Sequence, residues 1–405
     1  MALIFPNEGA MTSPAGTETL VLNWLAAQKD AMLDLVRALV DIDSGSYDKA
    51  GVDAVGARLR AFLAEHGIAF SIIANDRFGD AIRAQVNNCI DNLAGRAGNA
   101  PVLLLGHRDT VFPAGEAGRR PFRVADGRGS GPGCCDMKAG VVVNAFVLAA
   151  FARFAAAPLP VTALFTADEE IGSPSSKALI KDTARSARAV FNSEPGRPGG
   201  GVVTGRKGGK FMRINVIGKA AHAGNNLADG ISAIEELARK IVKLHALTDL
   251  PNGISCNVGT IAGGQTVNTV APHATAELDL RFIHPEEGAR TMAAIEAIVA
   301  EANVPGTRAS LEITGEFEPL VASDASRRLF EHYAACARAL GQTVEGMFAG
   351  GCADSGFAAS VGAPTICAVG PIGGRAHSPE EYLEVDSIVP RAQALALAIM
   401  RLDAA

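Results

Sequence analysis

The chain has 405 residues, of which 48% are hydrophobic and 20% are charged, and its formal net charge is −6. This length exceeds what one hydrophobic core usually supports, so we expect two domains. The negative charge and the lack of any lysine- or arginine-rich run argue against nucleic acid as a partner. Apolar runs such as 141–152 are too short and too interrupted to cross a bilayer, so we expect no membrane partner.

The N-terminal segment and the cysteines favour a cytoplasmic protein. The segment MALIFPNEGAMTSPAGTE has no basic region and no adequate apolar core, so we expect a frayed tail rather than a signal peptide, with Met11 as an alternative start. The seven cysteines are scattered and odd in number, which favours reduced thiols over a disulfide framework. Cys134 and Cys135 are adjacent and lack Cys-x-x-Cys spacing, which argues against a thiolate zinc site.

The first half of the chain alternates helical patterns with short buried strands. The predicted elements are helices over 20–42 and 51–66, a strand over 102–106, a helix over 138–154, a strand over 161–166, a helix over 173–183 and a strand over 187–192. Strands that alternate with helices indicate a mostly parallel sheet covered by helices on both faces.

Near residue 205 the pattern changes to that of a smaller α+β domain. Alternating polarity predicts strands over 211–217, 255–260, 265–270, 274–282 and 310–314, and helical spacing predicts helices over 231–244 and 287–302. This order suits a small domain of four strands and two helices, one strand fewer than the five candidates. After about residue 318 the chain returns to a helix, the buried strand APTICAVG and a final helix. We therefore predict an inserted domain, 205–317, between the two parts of a larger domain, 1–204 and 318–405.

Histidines and acidic residues directly follow the predicted buried strands. Parallel sheets bind ligands at the carboxyl ends of their strands, so these side chains should meet at one rim. They are His107 and Asp109 after VLLLG, Asp136 in GSGPGCCDMKAG, Glu169 and Glu170 after VTALFTAD, Glu194 after AVFNS, and His377 after the last buried strand. Imidazole and carboxylate are the ligands of zinc and related divalent ions. Five ligands and a spare carboxylate exceed the need of one zinc, whereas two metals that share a bridging carboxylate would use them all.

Each of these residues also has a simpler interpretation. Glu169 and Glu170 could begin a solvated helix, where the dipole favours acids, and Asp136 could cap the next helix. Glu194 could belong to an ordinary turn, and a lone histidine such as His107, His222 or His377 more often packs or satisfies a polar neighbour. Arg281 could pair with Glu277 on an exposed strand, Asn268 could satisfy a bulge, and cysteines such as Cys352 could be small buried hydrophobes.

Six motifs together resemble a dizinc metallopeptidase and amidohydrolase family. This family includes glutamate carboxypeptidase (carboxypeptidase G type), acetylornithine deacetylase, succinyl-diaminopimelate desuccinylase and aminoacylase. The motifs that resemble it in order and spacing are GHRDTV, GSGPGCCDMKAG, TADEEIGS, AAHAG, GGCADSGF and GGRAHSPEEY. The resemblance runs from about Leu33 to Leu402, and LVRALVDIDSGSYDKAGVDAVGARL looks most like the glutamate carboxypeptidase branch. It implies an α/β fold: a zinc-exopeptidase-like catalytic domain, whose mostly parallel sheet is flanked by helices, with an inserted four-stranded α+β domain for dimerisation or as a lid.

The resemblance also implies the role of each residue in the metal centre. His107, Asp136 and Glu194 would bind one zinc ion, and Asp136, Glu170 and His377 would bind the other, with Asp136 as the bridge. Co²⁺ or Mn²⁺ could substitute for Zn²⁺. Glu169 would be the general base, and Asp109 would orient the imidazole of His107. The peptide bond that follows the bridging aspartate, here Asp136–Met137, is often cis in this family.

The resemblance places the substrate contacts on both domains. His222 would stabilise the oxyanion, commonly across a dimer interface, while Asn268 and Arg281 would hold the substrate backbone and its free carboxylate. Gly350 and Gly351 would let the backbone approach the substrate closely. The segment TGEFEPLV lacks the arginine-rich stretch of glutamate carboxypeptidases, which argues against a strict glutamate preference.

With these roles, the resemblance implies a zinc-dependent hydrolase that cleaves an amide bond next to a free α-carboxylate. Such an enzyme would be a homodimeric metallocarboxypeptidase or N-acyl amino acid amidohydrolase, with a short peptide or an N-acyl amino acid as substrate. An aminopeptidase or a di/tripeptidase of the same fold is the alternative within the enzymes. A catalytically inactive, metal-free binding protein is the alternative from another class, and the presence of every ligand and the base argues against it.

Overall fold

The computed structural model describes residues 14–86 and 100–402. The expectation for the N-terminal tail, including Met11, concerns residues that lie outside this description. Within the described residues the helices are α1 (Pro14–Ala26), α2 (Lys29–Val40), α3 (Lys49–Glu65), α4 (Glu116–Arg119), α5 (Ala139–Phe154), α6 (Lys177–Ala184), α7 (Ala233–His245), α8 (Pro285–Ala300), α9 (Asp324–Ala339), α10 (Ser355–Ser360) and α11 (Ile388–Met400). The strands are β1 (Ala69–Ile73), β2 (Ala81–Val86), β3 (Val102–His107), β4 (Arg123–Ala125), β5 (Arg128–Ser130), β6 (Val161–Thr166), β7 (Ala189–Asn192), β8 (Val202–Arg206), β9 (Gly208–Ile217), β10 (Ser255–Gly263), β11 (His273–Phe282), β12 (Arg308–Phe317), β13 (Gly346–Ala349), β14 (Thr365–Cys367), β15 (Gly373–Gly374) and β16 (Tyr382–Glu384).

The large sheet has eight described strands in the order β1-β2-β6-β3-β7-β14-β8-β13. Its centre, β6-β3-β7-β14, is parallel, whereas β1 and β2 add antiparallel strands at one edge. Every residue of β3 and β6 is buried, as their continuous apolar runs predict for strands covered on both faces. The predicted α/β fold with a mostly parallel sheet is therefore confirmed.

Helix α5 forms the centre of the large hydrophobic core. The segment Cys134–Phe154 is apolar and long enough to cross a membrane, but 94% of its most apolar window is buried inside the protein. It contacts α1, α2 and α11, and its side chains belong to the same buried cluster as those of α11. A helix that is hydrophobic all round and enclosed in this way is a core helix.

A second, antiparallel sheet has the strand order β10-β11-β9-β12 and packs against α7 and α8. We call the segment from the start of β9 to the end of β12, with these four strands, the two helices and their connecting loops, the small domain, and the remainder the large domain. Burial alternates along β9 and β11, so one face of the sheet forms a separate core with the apolar stripes of the two helices. The exact division at 204/205 and 317/318 stays a prediction: β8 of the large sheet continues to Arg206, and β12 of the small one ends at Phe317.

The predicted strand over 265–270 is wrong, because this segment is a loop between β10 and β11. The chain turns at Gly264, whose φ is +75°, and the amide N–H of Thr269 bonds back to the carbonyl of Thr266. The hydroxyl of Thr266 donates to the side-chain carbonyl of Asn268 at 2.9 Å. These local bonds use polar groups that a strand would offer to its neighbours.

The bounds of two predicted helices are wrong, and one small sheet was not predicted. The helix expected over 20–42 is two helices, since α1 ends at Ala26 and α2 begins at Lys29. The helix expected from Ser173 begins at Lys177, because Ser173 has a positive φ of 51°. A small sheet of order β15-β16-β5-β4 joins distant parts of the chain and brings the segment before His377 beside the turn of Asp136.

Candidate metal centre

Three strands of the parallel sheet place the candidate ligands at one edge. His107 is the last residue of β3, Glu169 and Glu170 lie in a single helical turn shortly after β6, and Glu194 follows β7 by two residues. Because β6, β3 and β7 are parallel neighbours, their carboxyl ends lie side by side. Glu169 is only 6% exposed, so the alternative of a solvated helix start is wrong for this residue.

Asp136 lies in the turn before α5, where a buried carboxylate fixes the backbone. Glu381 accepts hydrogen bonds from the amides of Gly133 at 2.9 Å, Cys135 at 2.8 Å and Asp136 at 2.9 Å. The Asp136–Met137 peptide bond is cis, as the resemblance implied. Lys138, rather than Asp136, is the residue before α5, so the carboxylate of Asp136 does not cap that helix. No local sequence pattern marks this role of Glu381.

The two oxygens of the Asp136 carboxylate face two different histidines. Oδ1 lies 3.2 Å from Nε2 of His107, and Oδ2 lies 3.4 Å from Nε2 of His377. Each histidine meets a further carboxylate: Glu194 Oε1 is 3.6 Å from His107 Nε2, and Glu170 Oε2 is 3.1 Å from His377 Nε2. The structure therefore brings all five predicted ligands together, with Asp136 between the two halves.

Two overlapping groups of three side chains could each hold an ion, because the donor atoms within each group lie within 4.8 Å of one another. These groups are His107 with Asp136 and Glu170, and His107 with Glu169 and Glu194. One oxygen of Glu194, Oε1, is buried and has no hydrogen-bond partner. A buried carboxylate oxygen without a partner is costly unless a cation faces it. Imidazole and carboxylate donors suit zinc, so the residues present fit this metal.

The carboxylates of the cluster repel one another. Burial, and then the neighbouring carboxylates, raise the pKa of Glu169 well above its ordinary value and that of Glu170 to about 7. Burial acts in the same direction on Asp136, but hydrogen bonds from His107 and His377 hold the pKa of its carboxyl below the usual range. The same bonds to Asp136 and Glu170 raise the pKa of His377 to about 10. With all four carboxylates ionised these side chains would repel one another, and bound divalent cations would relieve that repulsion.

Asp109 supports both His107 and the turn of the two glutamates. Its side-chain oxygen lies 3.4 Å from Nδ1 of His107, and its backbone carbonyl lies 3.0 Å from the same nitrogen. The carboxylate also accepts the amides of Glu169 and Glu170, each at 3.1 Å, and the hydroxyl of Ser46 at 2.7 Å. Asp109 therefore fixes the orientation of the imidazole and the position of the turn. Ser46 was missed because no local pattern marks it.

A cavity of about 210 Å³ adjoins the cluster and has positively charged residues in its lining. It is lined by the carboxylates, His377, Gly351 and Cys352, and by three arginines, Arg197, Arg206 and Arg375. Arg206 is buried, donates to the backbone carbonyls of Gly351 at 3.2 Å and Cys352 at 3.1 Å, and approaches Glu194 to 3.9 Å. Of the two glycines expected to adjoin the substrate, Gly351 lines this cavity and Gly350 does not.

His222 and Asn268 lie together on the small domain, and neither lines the cavity. The backbone carbonyl of Asn268 accepts the amide of Ala223 at 2.9 Å, and Asn268 lies in a loop rather than at a bulge. Nδ1 of the exposed His222 accepts the amides of Gly224 at 3.1 Å and Asn225 at 3.2 Å. In the neutral ring the proton must therefore be on Nε2, which makes this nitrogen a donor.

Arg281 lies on β11 and already has partners. Nε and Nη2 bond the carboxylate of Asp279 at 2.7 and 3.1 Å, and Nη1 lies 2.8 Å from the sulfur of Cys352. The alternative interpretation, in which Arg281 pairs with Glu277, is wrong, because Glu277 bonds Arg213 at 2.9 Å. Cys352 is only partly buried and lines the cavity, so Arg281 reaches the edge of the site from the small domain.

An α/β sheet with a histidine–carboxylate cluster at its carboxyl edge is the arrangement of a metallohydrolase. The sequence model of peptidase family M20/M25/M40 matches residues 103–401, and the chain belongs to this family. The resemblance drawn from the six motifs is therefore confirmed.

Individual relatives agree with the family assignment. Carboxypeptidase G2 of Pseudomonas sp. (strain RS-16) is 28% identical over 382 residues, which cover 93% of this chain and 90% of that protein. Acetylornithine deacetylase of Myxococcus xanthus is 31% identical over 280 residues, which cover 65% of this chain and 70% of that protein. The structure of the M20 family metallo-carboxypeptidase Sso-CP2 from Sulfolobus solfataricus superposes with a TM-score of 0.74 at 16% identity, covering 91% of this chain and 98% of that one, which shows a shared fold.

Proposed function

We propose that the protein is a zinc-dependent hydrolase that cleaves an amide bond next to a free α-carboxylate, as a carboxypeptidase or an N-acyl amino acid amidohydrolase. The observation that carries the proposal is the position of Asp136, whose two oxygens face His107 and His377. One carboxylate between two histidines, each with a further acid, is the arrangement that two metals with a shared bridge require.

These distances support the two ligand sets that the family resemblance implies. His107, Asp136 and Glu194 would hold one zinc ion, and Asp136, Glu170 and His377 would hold the second. When bound, zinc supplies Lewis acidity, which lowers the pKa of a water molecule and polarises a carbonyl. Co²⁺ or Mn²⁺ would accept the same nitrogen and oxygen donors.

Glu169 is the proposed general base. Its carboxylate is buried, lies 3.9 Å from Nε2 of His107, and lines the cavity where a substrate amide would enter. Its raised pKa suits a group that takes a proton from the attacking water and later gives it to the departing amine. Asp109 keeps Glu169 in place through the backbone amide.

The small domain would supply the remaining contacts. The Nε2–H of His222 would donate to the oxyanion, while Asn268 and Arg281 would hold the substrate backbone and its free carboxylate. His222 is outside the cavity in this conformation, so closure of the domain or a partner subunit must deliver it. An exposed strand β10 at the edge of the small sheet, and exposed apolar side chains such as Val242 and Ile261, support a homodimer formed through this domain.

An aminopeptidase or di/tripeptidase activity is the second candidate. Arg281 is already bonded to Asp279, which reduces its capacity to bind a substrate carboxylate in this conformation. A substrate with a free amino group would not need this arginine.

Within the described residues six cysteines are free, which supports the proposed cytoplasmic location.

A substrate screen tests the proposal. The purified protein, reconstituted with zinc, would be assayed on N-acyl amino acids and on dipeptides whose C-terminus is either free or amidated. We expect hydrolysis only of substrates with a free α-carboxylate, and loss of activity after chelation that added zinc restores. Hydrolysis that requires a free amino group instead would favour the second candidate.

A further inference from the structure

The turn that carries Glu169 and Glu170 touches a strand of the small domain. A Cβ atom added at Gly172 would lie 2.7 Å from the backbone nitrogen of Glu316 and 3.0 Å from Cα of Gly315. A Cβ atom added at Gly315 would lie 2.9 Å from the carbonyl oxygen of Ile171. The two backbones are therefore in direct contact, and glycine at both positions permits this approach.

Glu316, the residue after Gly315 on β12, forms an ion pair with one lysine of each domain. One carboxylate oxygen lies 2.7 Å from Nζ of Lys177, and the other lies 2.6 Å from Nζ of Lys210. Lys177 is the first residue of α6 in the large domain and follows the turn, whereas Lys210 lies on β9 of the small domain. Burial opposes ionisation, but the hydrogen bonds from both lysines lower the pKa of Glu316 to about 2. The carboxylate is therefore charged at neutral pH.

The other side of the same turn is held by the large domain. Asp109 accepts the backbone amides of Glu169 and Glu170, each at 3.1 Å. The turn thus lies between Asp109 on one side and the backbone of Gly315 and Glu316 on the other. A movement of the small domain changes the support on one side of the turn only.

We propose that Glu316 is a positioning residue for the general base. Through Lys177 and the contact between Gly172 and Gly315, it holds the turn so that the carboxylate of Glu169 is placed for proton transfer when the small domain is seated. The inference rests on the proposed role of Glu169, and it adds that the small domain supports the base as well as the substrate.

Two variants and a matched control test the kinetic consequence. Glu316→Gln removes the charge that both lysines bind. Lys177→Met removes the ion pair that Glu316 forms with the large domain and leaves its pair with Lys210 in place. Glu277→Gln is the control, because Glu277 forms the comparable ion pair with Arg213 across the same small sheet. We expect kcat to fall on the order of 10-fold in both variants, with KM within about twofold and zinc content unchanged, because a small displacement of a catalytic group is costly. The control should match the parent.

Hydrogen exchange of the backbone amides at 169–172 tests the contact without any activity measurement. We expect exchange about 10-fold faster in Glu316→Gln and Lys177→Met than in the parent and the control. If the parent hydrolyses no amide substrate, the proposed function fails while the exchange rates still decide whether the contact holds the turn. Faster exchange with unchanged kcat would overturn the positioning role, and so would a lower kcat with unchanged exchange.

Gly315→Ala provides a second, independent variant. Its added methyl group would press on the carbonyl of Ile171, whereas Gly259→Ala on β10 meets only Asn257, at 3.7 Å, and serves as the control. We expect Gly315→Ala to lower kcat and to speed exchange in the turn, and Gly259→Ala to do neither. Equal behaviour of the two alanine variants would contradict the proposal.

Discussion

Replacement of Glu169 by glutamine should separate catalysis from metal binding. The glutamate is buried, and burial together with the negative charges of Glu194 and Glu170 raises its pKa. Glutamine has nearly the same size and no charge, so the variant should fold at least as stably as the parent and should keep its zinc. Loss of a general base lowers kcat by about 10²–10⁴-fold, which corresponds to about 3–5 kcal/mol of activation free energy.

The assay compares kcat and zinc content in the same preparations. Glu170→Gln is the matched control: it makes the same chemical change at the adjacent residue, but removes a proposed ligand that lies 3.1 Å from His377. We expect Glu169→Gln to retain zinc and lose activity, and Glu170→Gln to lose both. A Glu169→Gln variant with kcat within a few-fold of the parent, or with zinc loss equal to that of Glu170→Gln, would refute the assignment of the base.

Three further predictions concern the small domain and a buried acid. His222→Ala should lower kcat by roughly 10²–10³-fold and raise KM less. If His222 acts across a dimer, mixing His222→Ala subunits with Glu169→Gln subunits should restore part of the activity. Heterodimers without activity would contradict delivery of His222 by the partner subunit. Light scattering should show a homodimer at working concentration, and a monomer alone would count against the interface. Burial raises the pKa of Asp354 to about 7 from 3.8. Since the folded protein prefers the protonated carboxyl, its contribution to the free energy of unfolding decreases as pH rises from about 4 to 7. Asp354→Asn should therefore gain stability relative to the parent by up to about 4 kcal/mol between these pH values, as measured by chemical denaturation, and a pH-independent difference would contradict this.

The buried strands and the candidate metal ligands that follow them could be predicted because each is marked by a local sequence pattern. The mainly apolar strand β3 ends in His107, and the mainly apolar strand β6 is followed within three residues by Glu169. Parallel strands then bring His107, Glu169 and Glu194 to one edge without further information.

The loop after β10 shows how a local signal misleads. Its residues alternate in polarity as a strand would, yet Val267 is fully exposed and Thr266 bonds Asn268 within the loop. The sequence pattern does not show which backbone groups find a partner in another strand.

Contacts between segments that are distant in the chain could not be predicted from the sequence. Glu381 fixes the amide of Asp136 from 245 residues away, and Arg206 lines the cavity although no motif marked it. The contact of Arg281 with Cys352 of the other domain is a further example. Such residues become visible only when the fold has placed them together.

The central claim, a two-metal centre bridged by one aspartate, is tested most directly by anomalous scattering from crystals of the zinc-reconstituted protein at the zinc absorption edge. We predict two zinc peaks roughly 3.5–4 Å apart. One should contact His107, Asp136 and Glu194, and the other Asp136, Glu170 and His377. A single peak, no peak, or two peaks without Asp136 between them would contradict the claim.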